Sequence, residues 1–133
     1  MDRSTESRHG DVAKVLIVDD EPLVGRALAR GLSRMSNVTV VTSVSDGIDL
    51  IAAGGCFDVI LCDMLMPDGG GMGFYEAVSK LGPDWTAKIV FMTGGVFSQP
   101  AKSFLSRVDN RQLEKPVPLA ELMRVVSKFH ETE

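Results

Sequence analysis

Asp19 and Asp20, Asp63, Thr93 and Lys115 offer three carboxylates, a hydroxyl and an ammonium from positions far apart in the chain. Brought to one place, the carboxylates would repel one another. That repulsion calls for a hard cation such as Mg²⁺, which takes oxygen ligands and keeps several waters. A metal held by Asp19 or Asp20 together with Asp63 would keep open positions for a phosphate oxygen. Asp63 could then act as nucleophile toward a phosphoryl group, the metal offsetting the repulsion between two anions. Thr93 would donate to a transferred oxygen, with Gly94 and Gly95 letting a ligand approach the backbone, and Lys115 would add a point charge nearby. Phosphoryl transfer asks chiefly for positioning and charge stabilisation, and this set supplies both. Taken singly, each residue has an ordinary reading: Asp19, Asp20 and Glu21 as helix-cap and macrodipole residues, Asp63 as a strand terminator, Thr93 as turn chemistry, Lys115 as a surface lysine. The fold decides between the two.

Short apolar runs alternate with longer helical periods from Lys14 onward, the pattern of alternating strands and helices. The strands are expected at Lys14–Asp19, Val38–Ser43, Phe57–Asp63, Ala87–Thr93 and, more weakly, Asn110–Lys115. Their Val and Ile content fits burial on both faces, hence a parallel sheet between helices. The first helix starts at Pro22 and runs to Met35, and the second is capped by Ser45 and closed by Gly54-Gly55. The third follows Gly71 and ends at Gly82-Pro83, Ser98 opens the fourth, and Pro118 opens the fifth. The architecture is α/β, a (βα)5 unit. In an open parallel sheet ligands bind beyond the carboxyl ends of the strands. Asp19-Asp20, Asp63, Thr93 and Lys115 all stand at such ends, so a single crevice is a better account of them than five separate accidents.

With 133 residues, 14 basic and 18 acidic side chains and a formal net charge of −4, the chain reads as one domain without a strongly basic nucleic-acid footprint. Cys56 and Cys62 make no disulfide framework and no metal-ligand spacing, which points to a reducing compartment. No apolar run reaches the length of a membrane span, and the opening residues lack the apolar segment of a secretory signal. Residues 1–13 are expected to be a polar, flexible lead-in and the chain to be cytoplasmic. His9 in that lead-in and His130 near the end are expected to be solvated. Cys62 is expected in the core, and Trp85 is expected to pack on the third helix.

Between Lys14 and Phe129 the motifs VLIVDDEP, DVILCDMLMPDGGG, FMTG and LEKP resemble those of the response-regulator receiver domain of two-component signalling systems, the CheY-like family. The combination is specific where each piece alone is weak. The resemblance implies a doubly wound, flavodoxin-like five-stranded parallel sheet of order 2-1-3-4-5, with the receiver over residues 14–130; with few residues left after the fifth helix, no output domain is expected. It implies Mg²⁺-dependent transfer of phosphate to Asp63 from the phosphohistidine of a sensor histidine kinase or a histidine phosphotransfer protein, with Mn²⁺ able to substitute. In it Asp63 is the phosphoacceptor, Thr93 the switch hydroxyl and Lys115 the partner of phosphate and carboxylate. Asp19, Asp20, Asp63 and the backbone carbonyl of Leu65 hold the metal. A cis peptide before Pro116 is implied too, against a base rate of roughly one X-Pro bond in twenty. Such a domain catalyses only its own phosphorylation and dephosphorylation and is no turnover enzyme. It would signal to a downstream protein, and the face of the fourth helix, fifth strand and fifth helix is a candidate homodimer surface; no direct nucleic-acid contact is expected.

The chain departs from the family in three places. Gln112 stands three residues before the lysine, where an aromatic is usual, so the aromatic form of coupling is in question. Gly69 replaces a common methionine in a glycine-rich loop, which is expected to be softer. Leu65 and Gly95 supply no polar side chain to orient a water, so slow loss of phosphate is expected. Other functions fit less well. A flavodoxin-like phosphate binder would be repelled by Asp19-Asp20-Glu21, and a haloacid-dehalogenase phosphatase would need a second acid where Leu65 stands. A degenerate receiver acting as a binding module sits poorly with the complete residue set. The MTGG and LEKP surroundings also resemble receivers attached to hybrid sensor kinases.

Overall fold

Apolar runs rich in Val and Ile form one parallel sheet. The computed structural model describes residues 12–95 and 98–131. The strands are β1 (Ala13–Val18), β2 (Ser36–Val41), β3 (Val59–Asp63), β4 (Ile89–Thr93) and β5 (Gln112–Glu114). The helices are α1 (Pro22–Leu32), α2 (Val44–Ala52), α3 (Gly70–Ser79), α4 (Pro83–Thr86), α5 (Gln99–Arg107) and α6 (Leu119–Glu131). Strand order is β2-β1-β3-β4-β5 and every pairing is parallel, as expected. The single turn α4 is an addition to the five expected helices, whose fourth and fifth members are α5 and α6.

Side chains alternate across a strand, so each strand feeds two cores. Leu16, Val18, Ile60, Cys62, Ile89 and Phe91 face α2, α3 and α5, where Ile51, Phe74, Val78 and Phe104 close over them. Val15, Ile17, Val59, Leu61, Val90, Met92 and Leu113 face α1 and α6, covered by Leu32, Leu122 and Val126. Burial on both faces is why these strands read as continuous apolar runs rather than alternating ones.

Several boundaries differ from the sequence reading for local reasons. Ala13, expected in the lead-in, is already strand and pairs with Ser36, so β2 starts and ends two residues earlier than expected and α1 stops at Leu32. With β2 ending at Val41, the cap of α2 is Ser43 and not Ser45: the Ser43 side chain accepts the Asp46 N–H at 3.0 Å. Asn110, expected in the fifth strand, instead donates its side-chain amide to the carbonyls of Thr86 and Ile89, plugging the end of the sheet next to α4. Trp85 sits in α4, which packs on α3, with the Lys88 ammonium 4.8 Å from its ring centre. The Lys115–Pro116 peptide is cis. Residues 1–11, including His9, lie outside the described residues. Among the described residues no helix is long and apolar enough to cross a membrane.

Candidate phosphoacceptor site

Alternation places the charged residues before any function is considered. Asp19 follows Ile17, Asp63 follows Leu61 and Lys115 follows Leu113, each by the strand period of two, so all three continue the side of the sheet that faces α1 and α6. The ladder holds this arrangement past the strand ends, with Asp19 N–H donating to Val41 O at 3.1 Å and Lys115 N–H to Thr93 O at 2.7 Å. At the carboxyl edge a single ammonium bridges two carboxylates: Lys115 Nζ lies 3.2 Å from Asp19 Oδ2 and 3.2 Å from Asp63 Oδ2. Asp20 completes the group, one oxygen from each of Asp19, Asp20 and Asp63 lying within 4.8 Å of the others.

Backbone amides take up the remaining oxygens. Glu21 N–H donates to Asp19 Oδ1 at 2.9 Å, and Leu65 N–H to Asp63 Oδ1 at 3.3 Å. Asp19 is fully buried and Asp63 nearly so, whereas Asp20 is half-buried. Burial pushes the Asp63 carboxyl above its ordinary value, and Lys115 and the Leu65 amide only partly oppose it. Lys115 behaves conversely. Burial pulls it down, but Asp63 and Asp19 together outweigh that and hold the ammonium above its usual value. The two directions are compatible because one cation is shared by two anions: the lysine is over-compensated and the aspartate under-compensated. Three clustered carboxylates against one ammonium leave excess negative charge on oxygen donors, and that donor set fits a hard divalent cation.

Thr93 ends β4 beside this cluster, but its hydroxyl lies against Leu113 O at 3.5 Å and makes no hydrogen bond to the carboxylates among the described residues. Leu65 is half exposed, and it is its N–H that meets Asp63. Cys62 is buried in the core; burial pushes its thiol far up, with Asp63, Asp19 and Asp68 adding to the shift. His130 is not solvated as expected: it is half-buried, with Nδ1 3.4 Å from Asp58 Oδ2 at the opposite end of the sheet. Gln112 is exposed on β5, its Nε2 donating to Leu105 O of α5 at 3.4 Å. The sequence reading missed Asp68, whose Oδ2 accepts the Val44 N–H at 2.8 Å. Its partner is a backbone amide with no residue-type signature, so no sequence signal marks the pair.

The sequence profile of the response regulator receiver domain matches residues 15–127. The chain is 35% identical over 124 residues to the transcriptional regulatory protein BtsR of Escherichia coli, covering 86% of this chain and 50% of that one. It is 28% identical over 116 residues to the DNA-binding transcriptional regulator NtrC of Azospirillum brasilense, covering 87% of this chain and 24% of that one. The chain thus spans half or less of these relatives. Among solved structures, the receiver domain protein from Methanospirillum hungatei superposes with a TM-score of 0.78 at 23% identity, covering 92% of this chain and 96% of that one. The receiver domain protein from Clostridium thermocellum gives 0.77 at 23% identity, covering 91% and 96%. At such identities the structural likeness speaks for the fold alone.

Proposed function

The chain belongs to the response regulator receiver domain family of two-component systems, and from that premise we propose that Asp63 accepts a phosphoryl group from the phosphohistidine of a partner kinase or phosphotransfer protein. In the transfer an Asp63 oxygen forms a bond to phosphorus while the phosphorus–nitrogen bond breaks, and the imidazole leaves with its electron pair. Asp19 and Asp20, with Asp63 and the Leu65 carbonyl, would hold Mg²⁺, whose charge would offset the repulsion between the carboxylate and the phosphoryl oxygens. Lys115 would transfer its contact from the Asp63 carboxylate to a phosphoryl oxygen, keeping a cation on the accumulating charge. Thr93 would turn its hydroxyl from Leu113 O toward the same group, the first motion of a switch read on the neighbouring surface. One phosphoryl group per cycle is carried, so the domain is a signal carrier and not a turnover enzyme.

The observation that supports this reading best is the shared ammonium: Lys115 holds Asp19 and Asp63 at equal distance at the end of β1 and β3. The test is incubation with Mg²⁺ and acetyl phosphate, read by intact mass. A single phosphoryl adduct on the wild type that is absent from Asp63→Asn is the expected result. Equal labelling of both proteins would remove Asp63 from the mechanism, and no labelling of either would defeat the reading.

A further inference from the structure

The loop between Asp63 and α3 is anchored at its start, where Met64 is buried in the core and its N–H donates to Met92 O at 3.0 Å, and Met66 packs partly against the same core, but Leu65, Pro67, Asp68 and Gly69 are all exposed. Its backbone is folded on itself through Gly69 N–H to Met66 O at 3.3 Å and Gly71 N–H to Met64 O at 3.2 Å. Gly70 adopts φ +59°, and a Cβ there would stand 2.1 Å from Met64 O, so the loop passes too close to its own backbone for any side chain. These contacts fix the shape of the loop and the core fixes its start, but neither sets where the exposed tip, residues 67–69, sits against α2.

Asp68 supplies that second constraint. Its carboxylate reaches an amide 24 positions earlier, the Val44 N–H at the first turn of α2, at 2.8 Å. Ser43 already satisfies the Asp46 N–H, so Asp68 takes another of the amides that a helix start leaves without an intrahelical partner. A carboxylate at that position also meets the positive end of the helix macrodipole, and hydrogen bonds to an ionised acceptor are stronger than neutral ones. Since β2 ends at Val41 and Val41 O receives the Asp19 N–H, the start of α2 is itself tied to the acidic edge.

We propose that Asp68 is a positioning residue for the site: by latching loop 64–69 to the start of α2 it holds the Leu65 backbone beside Asp63. The proposal rests on the reading of the site as a Mg²⁺-dependent phosphoacceptor, and it asks for no contact between Asp68 and the phosphoryl group. Removing the latch loosens the Leu65 amide and weakens the metal site that the loop lines. Partners one shell away from a metal typically change its affinity by about tenfold or more, and the lower end suits a residue acting through a loop.

The experiment compares the wild type with Asp68→Ala, Asp68→Asn and Val44→Pro, each confirmed folded by circular dichroism. Mg²⁺ affinity is measured by calorimetric titration and amide hydrogen exchange at Leu65 by NMR without metal. Asp68→Asn keeps an acceptor oxygen without the charge. Val44→Pro removes the donor and leaves the carboxylate; proline is tolerated at a first helical position, and Ser43 before it is already extended, with φ −146° and ψ 154°. The expected result is about tenfold weaker Mg²⁺ binding and faster Leu65 exchange for Asp68→Ala and Val44→Pro, with Asp68→Asn, which keeps the hydrogen bond but not its charge, between them and the wild type. Wild-type affinity and exchange in Asp68→Ala would overturn the proposal. So would equal impairment of Asp68→Asn and Asp68→Ala with Val44→Pro unaffected, because charge alone would then be responsible. A wild type that binds no Mg²⁺ would instead defeat the phosphoacceptor reading, and the exchange rates would still decide whether the latch holds Leu65.

Discussion

At the scale of single residues, the site is defined by unequal sharing of charge. Lys115 has two anions and Asp63 has half a cation, so the folded protein holds the Asp63 carboxyl above its ordinary value, chiefly through burial. A carboxyl whose folded-state value is raised binds its proton more tightly folded than unfolded. Its ionised form therefore costs stability, fully above the raised value and not at all below the ordinary value of 3.8. Without metal, Asp63→Asn is expected to melt higher than the wild type at neutral pH, and the difference should shrink as pH falls toward that value; a lower melting temperature for the variant at neutral pH would contradict this. The same reasoning makes Mg²⁺ and protons competitors at Asp63, with metal affinity falling at a pH where an ordinary carboxylate would still be ionised. A second expectation concerns water. The half-exposed Leu65 and the glycine at position 95, with φ +118°, offer no side-chain polar group to orient an attacking water. The phosphorylated protein should therefore keep its label well beyond seconds when its decay is followed by intact mass, and a lifetime of seconds would refute the argument.

At the scale of elements, the start of α2 tests how local rules and strand register compete. Both Ser43 and Ser45 are capping residue types, and the sequence alone favours neither. Register decides, because β1 begins at Ala13 and its pairing with Ser36 ends β2 at Val41. Ser43 then falls at the cap, and Ser45 lies exposed within the first turn. Ser43→Ala is expected to cost about 1 kcal/mol in urea unfolding, and Ser45→Ala no more than about 0.5 kcal/mol; the reverse ranking would restore Ser45 as the cap. The same comparison shows what a sequence can carry. Strand identity was legible because buried parallel strands are apolar on both faces, strand order only through the resemblance to receiver domains, and the convergence of Asp19, Asp63 and Lys115 because each stands at the carboxyl end of a strand, where an open parallel sheet binds its ligands. The bridge made by Lys115, the Asp68–Val44 latch and the His130–Asp58 pair were not legible, since each joins residues from separate elements whose approach only packing sets. The one-turn α4 is too short to show a helical period at all.

At the scale of the whole molecule, the question is how far an event at Asp63 travels. Thr93 touches Leu113 O of β5 at 3.5 Å, so turning its hydroxyl toward a phosphoryl group would release one contact between β4 and β5. What lies beyond differs on the two sides of that junction. Toward α5 there is dense packing: Phe104 meets Phe91 and Tyr75 edge to face, at 5.4 and 5.3 Å between ring centres, which joins α3, β4 and α5 in one aromatic cluster. Toward the outer surface there is Gln112, exposed, with one long hydrogen bond to Leu105 O in place of a ring that could swing between buried and exposed positions. Packed cores transmit displacement because they have few arrangements, whereas a solvated amide has many. With Mg²⁺ and beryllofluoride, NMR shifts are therefore expected to be large at Asp63, Leu65, Thr93 and along α5, and small on the outward face of α6. Gln112→Tyr should enlarge the α6 response at the same saturation by supplying a bulky group at the strand that Thr93 releases. Large shifts running through Gln112 to α6 in the unaltered protein would show that the signal crosses β5 without an aromatic side chain, and the aromatic cluster would then not be the path that matters.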